Sequence, residues 1–115
     1  MNRIASLLRA SDRIKSRHWH VQIYATLAVI SGIKDTVRDS PTSMVFDHFG
    51  GAQAPLGLHQ PGFADLLELV RSGKAYLKIS GAYRASKLAP DYQDVVPLAR
   101  ALIATNADRV VWGTD

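Results

Sequence analysis

At 115 residues, with hydrophobic side chains at 47% and charged ones at 21%, the chain has the balance of a globular domain that can bury a core, which excludes a disordered segment. It has no cysteine, which removes disulfides, thiolate metal sites and cysteine nucleophiles and suits a reducing compartment, so a cytoplasmic location is expected. The formal charge of +4 is scattered over Arg3, Arg9, Arg13, Lys34, Arg71, Lys87 and Arg100 with no interleaved aromatics, and no apolar stretch approaches the roughly 20 residues that span a bilayer, so neither nucleic acid nor membrane is an expected partner.

In chain order, Ile4, Leu7, Leu8 and Ile14 recur at helical spacing with Arg3, Arg9, Arg13 and Lys15 opposite, which predicts an amphipathic helix. The Arg- and Ser-rich segment from Met1 to Trp19 could also pass for a presequence, but a strand follows at once and the helix is the preferred reading. His18 to Tyr24 alternates polar with β-branched and aromatic residues, the period of a strand. A second helix is predicted through Leu27, Ile30, Ile33 and Val37, ending near Ser40-Pro41. Ser43 to His48 reads as a second strand, closed by Gly50-Gly51 and a loop with Pro55, Gly57 and Pro61. Phe63, Leu66, Leu67 and Val70 mark a third helix, with Gly73 placed to stop it. Ala75 to Ser80 is a third strand, and a loop from Gly81 to about Pro90 leads to a helix carried by Val95, Leu98, Leu102 and Ile103, beginning or kinking at Pro97. Arg109 to Gly113 is the last strand.

Strand and helix thus alternate, which implies a parallel sheet with right-handed crossovers. Pattern alone allows an open doubly wound sheet or a piece of a barrel. Side-chain parity favours the barrel. His20, Gln22 and Tyr24 share one face, Lys78 and Ser80 another, and Arg109 and Asp115 a third, against apolar faces that include Val110 and Trp112.

In such a fold ligands bind at the C-terminal ends of the strands. These ends carry Gln22 and Tyr24, then Asp47 and His48, then Ser80 with Tyr83 and Arg84 beyond, then Thr114 and Asp115. The pair His18 and His20 begins its strand, at the opposite end, and is not expected to hold a metal; no metal site is expected here. Gly50-Gly51 lacks the spacing of a phosphate loop.

Four motifs, Trp19–Tyr24, Val45–Gly51, Lys78–Arg84 and Val110–Asp115, in this order and spacing resemble the last four strands of the amidohydrolase 2 family, in particular its branch similar to 2-pyrone-4,6-dicarboxylate lactonase. The resemblance covers nearly the whole chain. It implies the C-terminal half of a (β/α)8 barrel as one partial domain over residues 1–115, and a hydrolase acting on a cyclic ester of a carboxylic acid. It implies Asp115 as general base on water, His48 as the catalytic histidine that polarises the carbonyl, and Arg84 as the clamp for a substrate carboxylate. Tyr83, Ser80, Gln22 and Tyr24 would line the same pocket. Metal-dependent relatives tend to place a histidine near Gln22, so no cofactor is expected, with a divalent metal left open for a full-length parent. The family's first four strands have no counterpart here. The expectation is therefore an enzyme fragment, inactive by itself, or else a non-catalytic half-barrel that self-associates through open sheet edges.

Overall fold

The computed structural model describes residues 3–114. Asp115, the expected general base, lies outside the described residues. The first element is helix α1 (Arg3–Ile14). Its residues Ile4 and Leu7 pack against the core, and its Ser11 is buried with its carbonyl accepting from Thr42 Oγ1 at 2.8 Å. A single 3₁₀ turn, Lys15–Arg17, ends at His18 in the left-handed conformation. The strand expected from His18 is therefore shorter: β1 is Val21–Ile23.

The helix expected over Leu27 to Val37 is two helices, α2 (Leu27–Gly32) and α3 (Lys34–Asp39), with Ile33 leaving helical geometry at φ −110° and ψ 8°. Gly32 weakens a helix interior by about 1 kcal/mol, and re-aiming the chain just after it buries both Ile30 and Val37. Thr26 caps α2 by accepting from Val29 N–H. Next come β2 (Met44–Phe46) and α4 (Phe63–Arg71). Gly73, at φ 81°, donates to Val70 O and ends α4 as the sequence suggests.

Strand β3 (Ala75–Ile79) leads to a one-turn helix, α5 (Ala82–Ala85), where the sequence suggests only a loop. Helix α6 (Val96–Thr105) carries Pro97 in its first turn, where a missing N–H costs nothing, and β4 (Val110–Trp112) follows. Among the described residues no helix is long and apolar enough to cross a membrane.

All pairings are parallel and the sheet order is β1-β2-β3-β4, the order of the chain. A doubly wound sheet would reverse that order at a switch point. Here every crossover steps the same way. The outward strand residues Met44, Phe46, Ala75 and Leu77 are fully buried with Ile30, Phe63, Leu66, Val70, Leu98 and Leu102 of the helices. The opposite face, with Gln22, Val45, Tyr76, Lys78 and Val111, lines an open cavity of about 420 Å³. Helices on one face and a lined hollow on the other make this half of a (β/α)8 barrel. One expectation fails at the end of the sheet. Trp112 has the parity of the helix-covered face but is 78% exposed, because no helix among the described residues follows β4.

Between the helices, Asp65 of α4 accepts from Ser31 Oγ at 2.7 Å and from Lys34 Nζ at 3.0 Å. The Ser31 hydroxyl, with the Lys34 ammonium, holds the Asp65 carboxyl below the ordinary aspartate range. A depressed carboxyl stabilises the fold above its ordinary pKa, near pH 4, and loses that contribution as pH falls. Asp65→Asn is expected to lower the urea midpoint at pH 7, with the difference from the unmodified chain shrinking as pH falls below the ordinary aspartate range.

Candidate functional site at the C-terminal ends of the strands

At the hollow face, Gln22 of β1 and Lys78 of β3 converge on Asp47, which follows β2. Gln22 of β1 donates its Nε2 to both oxygens of Asp47, at 2.8 and 3.0 Å. Lys78 of β3 places its ammonium 3.7 Å from Asp47 Oδ1. That distance is a charge contact, whereas the Gln22 contacts are hydrogen bonds, so the amide fixes the carboxylate and the ammonium balances it. The Lys78 stem also crosses Gly113, where an added Cβ would meet Cε at 2.6 Å. A side chain at position 113 would displace the lysine.

One residue beyond Asp47, the backbone turns sharply. His48, Phe49, Gly50 and Gly51 all have positive φ, at 53°, 59°, 63° and 77°. Two non-glycine residues in the left-handed region carry strain of order 1 kcal/mol each, offset by burying Phe49, which is 1% exposed. The turn aims the buried His48 ring across to β3, where Nδ1 lies 2.9 Å from Ser80 Oγ. Gly81, at φ 57°, passes under the same ring, and a Cβ there would approach Nδ1 to 2.8 Å. Ser80 thereby fixes the ring's orientation, with Nε2 on the far side.

Tyr24, just after β1, meets the His48 ring edge to face, with centroids 4.9 Å apart. The Arg84 guanidinium, on α5, lies 5.3 Å from the Tyr24 ring centroid and 5.2 Å from that of Tyr83. Gln53 Nε2 donates to Arg84 O at 3.2 Å and holds that helical turn in place. Tyr24 and Tyr83 are more than half exposed. A cation backed by aromatic rings and reached by solvent can pair with a planar carboxylate through two parallel hydrogen bonds.

Six of the seven residues singled out in the sequence, Gln22, Tyr24, His48, Ser80, Tyr83 and Arg84, therefore stand at one end of the sheet. Tyr24, His48, Ser80, Tyr83 and Arg84 form a chain of contacts at the rim, and Gln22 lies a layer below, on Asp47. The seventh, Asp115, is outside the described residues. Asp47, placed at a strand end by the sequence but given no role there, and Lys78, placed on the inward face, occupy its floor. The available signal was a lysine at an inward position of a buried strand, two residues before Ser80. His18 and His20 line the hollow with Trp19, Ser43 and Tyr76, at the N-terminal end as expected. Among the described residues no three His, Asp or Glu side chains come together to hold a metal ion.

A polar rim at the C-terminal ends of four parallel strands of a half-barrel is the ligand-binding end of a (β/α)8 protein. The amidohydrolase family model matches residues 6–115, so the chain belongs to the amidohydrolase family. It is 38% identical to a 4-sulfomuconolactone hydrolase of Hydrogenophaga intermedia, over 84% of this chain and 32% of that protein. It is 33% identical to a 2-pyrone-4,6-dicarboxylate hydrolase of Comamonas testosteroni, over 95% of this chain and 39% of that protein. Among solved structures, a Pseudomonas putida protein named for 2-pyrone-4,6-dicarboxylic acid hydrolysis superposes with a TM-score of 0.74 at 36% identity, covering 91% of this chain and 39% of its own. The chain thus spans between a third and two-fifths of the length of these relatives.

The coupling between Asp47 and Lys78 is open to a double-mutant cycle. Asp47→Asn strands a partly buried ammonium and is expected to cost about 1–3 kcal/mol in urea unfolding. With Lys78→Met also present the loss should be smaller than the sum of the single losses, by about 1 kcal/mol.

Proposed function

We propose that this chain carries one half of the active site of a lactone hydrolase whose substrate is a cyclic ester of a carboxylic acid, of the 2-pyrone-4,6-dicarboxylate type. The observation that carries the reading is the contact chain Tyr24–His48–Ser80 with Arg84 at its outer end. It sets an oriented ring nitrogen for a carbonyl and a cation for a carboxylate on one chain of contacts. The names of the relatives, which act on a sulfomuconolactone and on a pyrone dicarboxylate, support the same chemistry.

In this reading Arg84 clamps a substrate carboxylate between the Tyr24 and Tyr83 rings. His48, oriented by Ser80, presents Nε2 to the lactone carbonyl and stabilises the oxygen as it gains negative charge. Asp115 acts as general base, taking a proton from water as its oxygen bonds to the carbonyl carbon. The ring C–O bond then breaks, and the proton passes from Asp115 to the departing ring oxygen. Asp47 serves below the site as the anchor of the strand end that bears His48.

The donor set does not suit a divalent metal. Asp47, the described carboxylate at the site, is flanked by the amide N–H₂ of Gln22 and the ammonium of Lys78, groups that repel a dication. No step is therefore routed through a metal. With four strands supplying half of a barrel rim, the chain by itself is proposed to bind such a ligand without turning it over.

Isothermal titration of the purified chain with 2-pyrone-4,6-dicarboxylate and with uncharged 2-pyrone tests this. The dicarboxylate should bind, the neutral ring should bind at least tenfold more weakly, and Arg84→Ala should lose about tenfold for the dicarboxylate, ~1.4 kcal/mol. Equal binding of the two rings, or an indifferent Arg84→Ala, would rule the reading out.

A further inference from the structure

We infer that Gln60 and Gln53 are positioning residues for Arg84: they turn residues 51–62 into a brace that sets where the Arg84 guanidinium stands relative to Tyr24. The inference rests on the reading of Arg84 as the clamp for a substrate carboxylate and adds to it the groups that aim the clamp.

The connection from β2 to α4 runs outside the sheet, so its backbone polar groups need partners from elsewhere. Gln60, which is buried, supplies them. Its Oε1 accepts from Gln53 N–H at 2.9 Å, and its Nε2 donates to Gln53 O at 2.9 Å and to Gly57 O at 2.6 Å. Pairing with both the N–H and the carbonyl of one residue is what a neighbouring strand would do, so this side chain cross-links the loop where no strand is available. The Gln60 carbonyl in turn accepts from Phe63 N–H at 3.2 Å, which ties the closure to the start of α4 and to the fully buried Phe63.

Both ends of the closed loop press on the backbone that carries Tyr24. A Cβ on Gly51 would lie 2.2 Å from Ala25 O, and one on Gly62 would lie 2.9 Å from Leu27 O. Ala25 directly follows Tyr24. On its other side the loop reaches α5, where Gln53 Nε2 donates to Arg84 O at 3.2 Å. A helix of one turn is not stable in water by itself, and its last carbonyls have no partner within it. Gln53 supplies a donor to one of them. A continuous path of contacts thus runs from Ala25 through Gly51 and Gln53 to Arg84, beside the 5.3 Å separation of the Arg84 guanidinium from the Tyr24 ring. Two parallel hydrogen bonds to a carboxylate form only when the planar fork is aimed at it, and an arginine side chain rooted on a shifting turn loses that aim.

Trimming either amide should release Arg84 without altering it. In nuclear magnetic resonance spectra of the isotope-labelled chain without ligand, the Arg84 Nε–Hε signal should be displaced by the ring currents of Tyr24 and Tyr83. It should move toward the position of a solvated arginine, with a lower heteronuclear NOE, in Gln60→Ala and, to a smaller extent, in Gln53→Ala, which keeps its backbone pairing with Gln60. Leu56→Ala, in the same loop at an exposed position, should leave the signal in place. By titration calorimetry Gln60→Ala should weaken 2-pyrone-4,6-dicarboxylate about fivefold and Gln53→Ala about threefold, with uncharged 2-pyrone unaffected and no further loss in an Arg84→Ala background. Should Gln60→Ala fail to fold, Gln53→Ala decides. An unmoved Arg84 signal, equal weakening of the charged and neutral rings, or a loss that persists in full beside Arg84→Ala would each overturn the inference. Should Arg84→Ala alone leave dicarboxylate binding unchanged, the clamp reading falls, and the Arg84 signal then judges the brace by itself.

Discussion

Asp47 is the point on which the site depends. Its carboxylate sits at the top of β2, half-way across the described rim, with the Gln22 amide from β1 and the Lys78 ammonium from β3 closing on it. A carboxylate 14% exposed would be costly without partners, so the three strands are held at one level as a condition of burying it. The lysine stem passes close over Gly113, which brings the same contact network to the end of β4. The next residue after Asp47 is His48, and its strained backbone is tolerable because its base is fixed on one side and Phe49 is anchored on the other.

Above that floor the rim is built by short-range relations. Ser80 follows the last residue of β3 and reaches His48, Gly81 makes room for the ring, and α5 lifts Arg84 to face Tyr24. Removing the floor would leave each of these contacts with one wandering partner. Floor and rim are therefore a single construction, in which electrostatics sets the height of the strand ends and packing sets the angles of the side chains.

Much of this was legible in the sequence. Strand–helix alternation and period-two parity placed Gln22, Tyr24, His48 and Ser80 at one end of a parallel sheet, and the barrel-like inward polarity was visible at Lys78. What parity could not show is distance. Nothing local says that Lys78 and Asp47, 31 positions apart, meet, because their contact arises from the register of β2 against β3. Helix α5 was missed since four residues give too short a period to read. The kink at Ile33 was missed because an apolar pattern carried through Gly32, and the tertiary advantage of burying Val37 decided the direction. Trp112 was assigned to a covered face on parity, which is correct for direction but silent on whether a helix arrives to cover it.

The proposed ligand site is the rim at the C-terminal ends of the strands and not the rest of the hollow, which extends down to His18, Trp19, His20 and Tyr76. Backbone amide chemical-shift mapping of the isotope-labelled chain during titration with 2-pyrone-4,6-dicarboxylate separates the two. The largest changes are expected at Tyr24, His48, Ser80, Gly81 and Arg84, with little at His18 to His20, Tyr76 and Arg109. Changes concentrated at that lower group, with the rim unmoved, would contradict it.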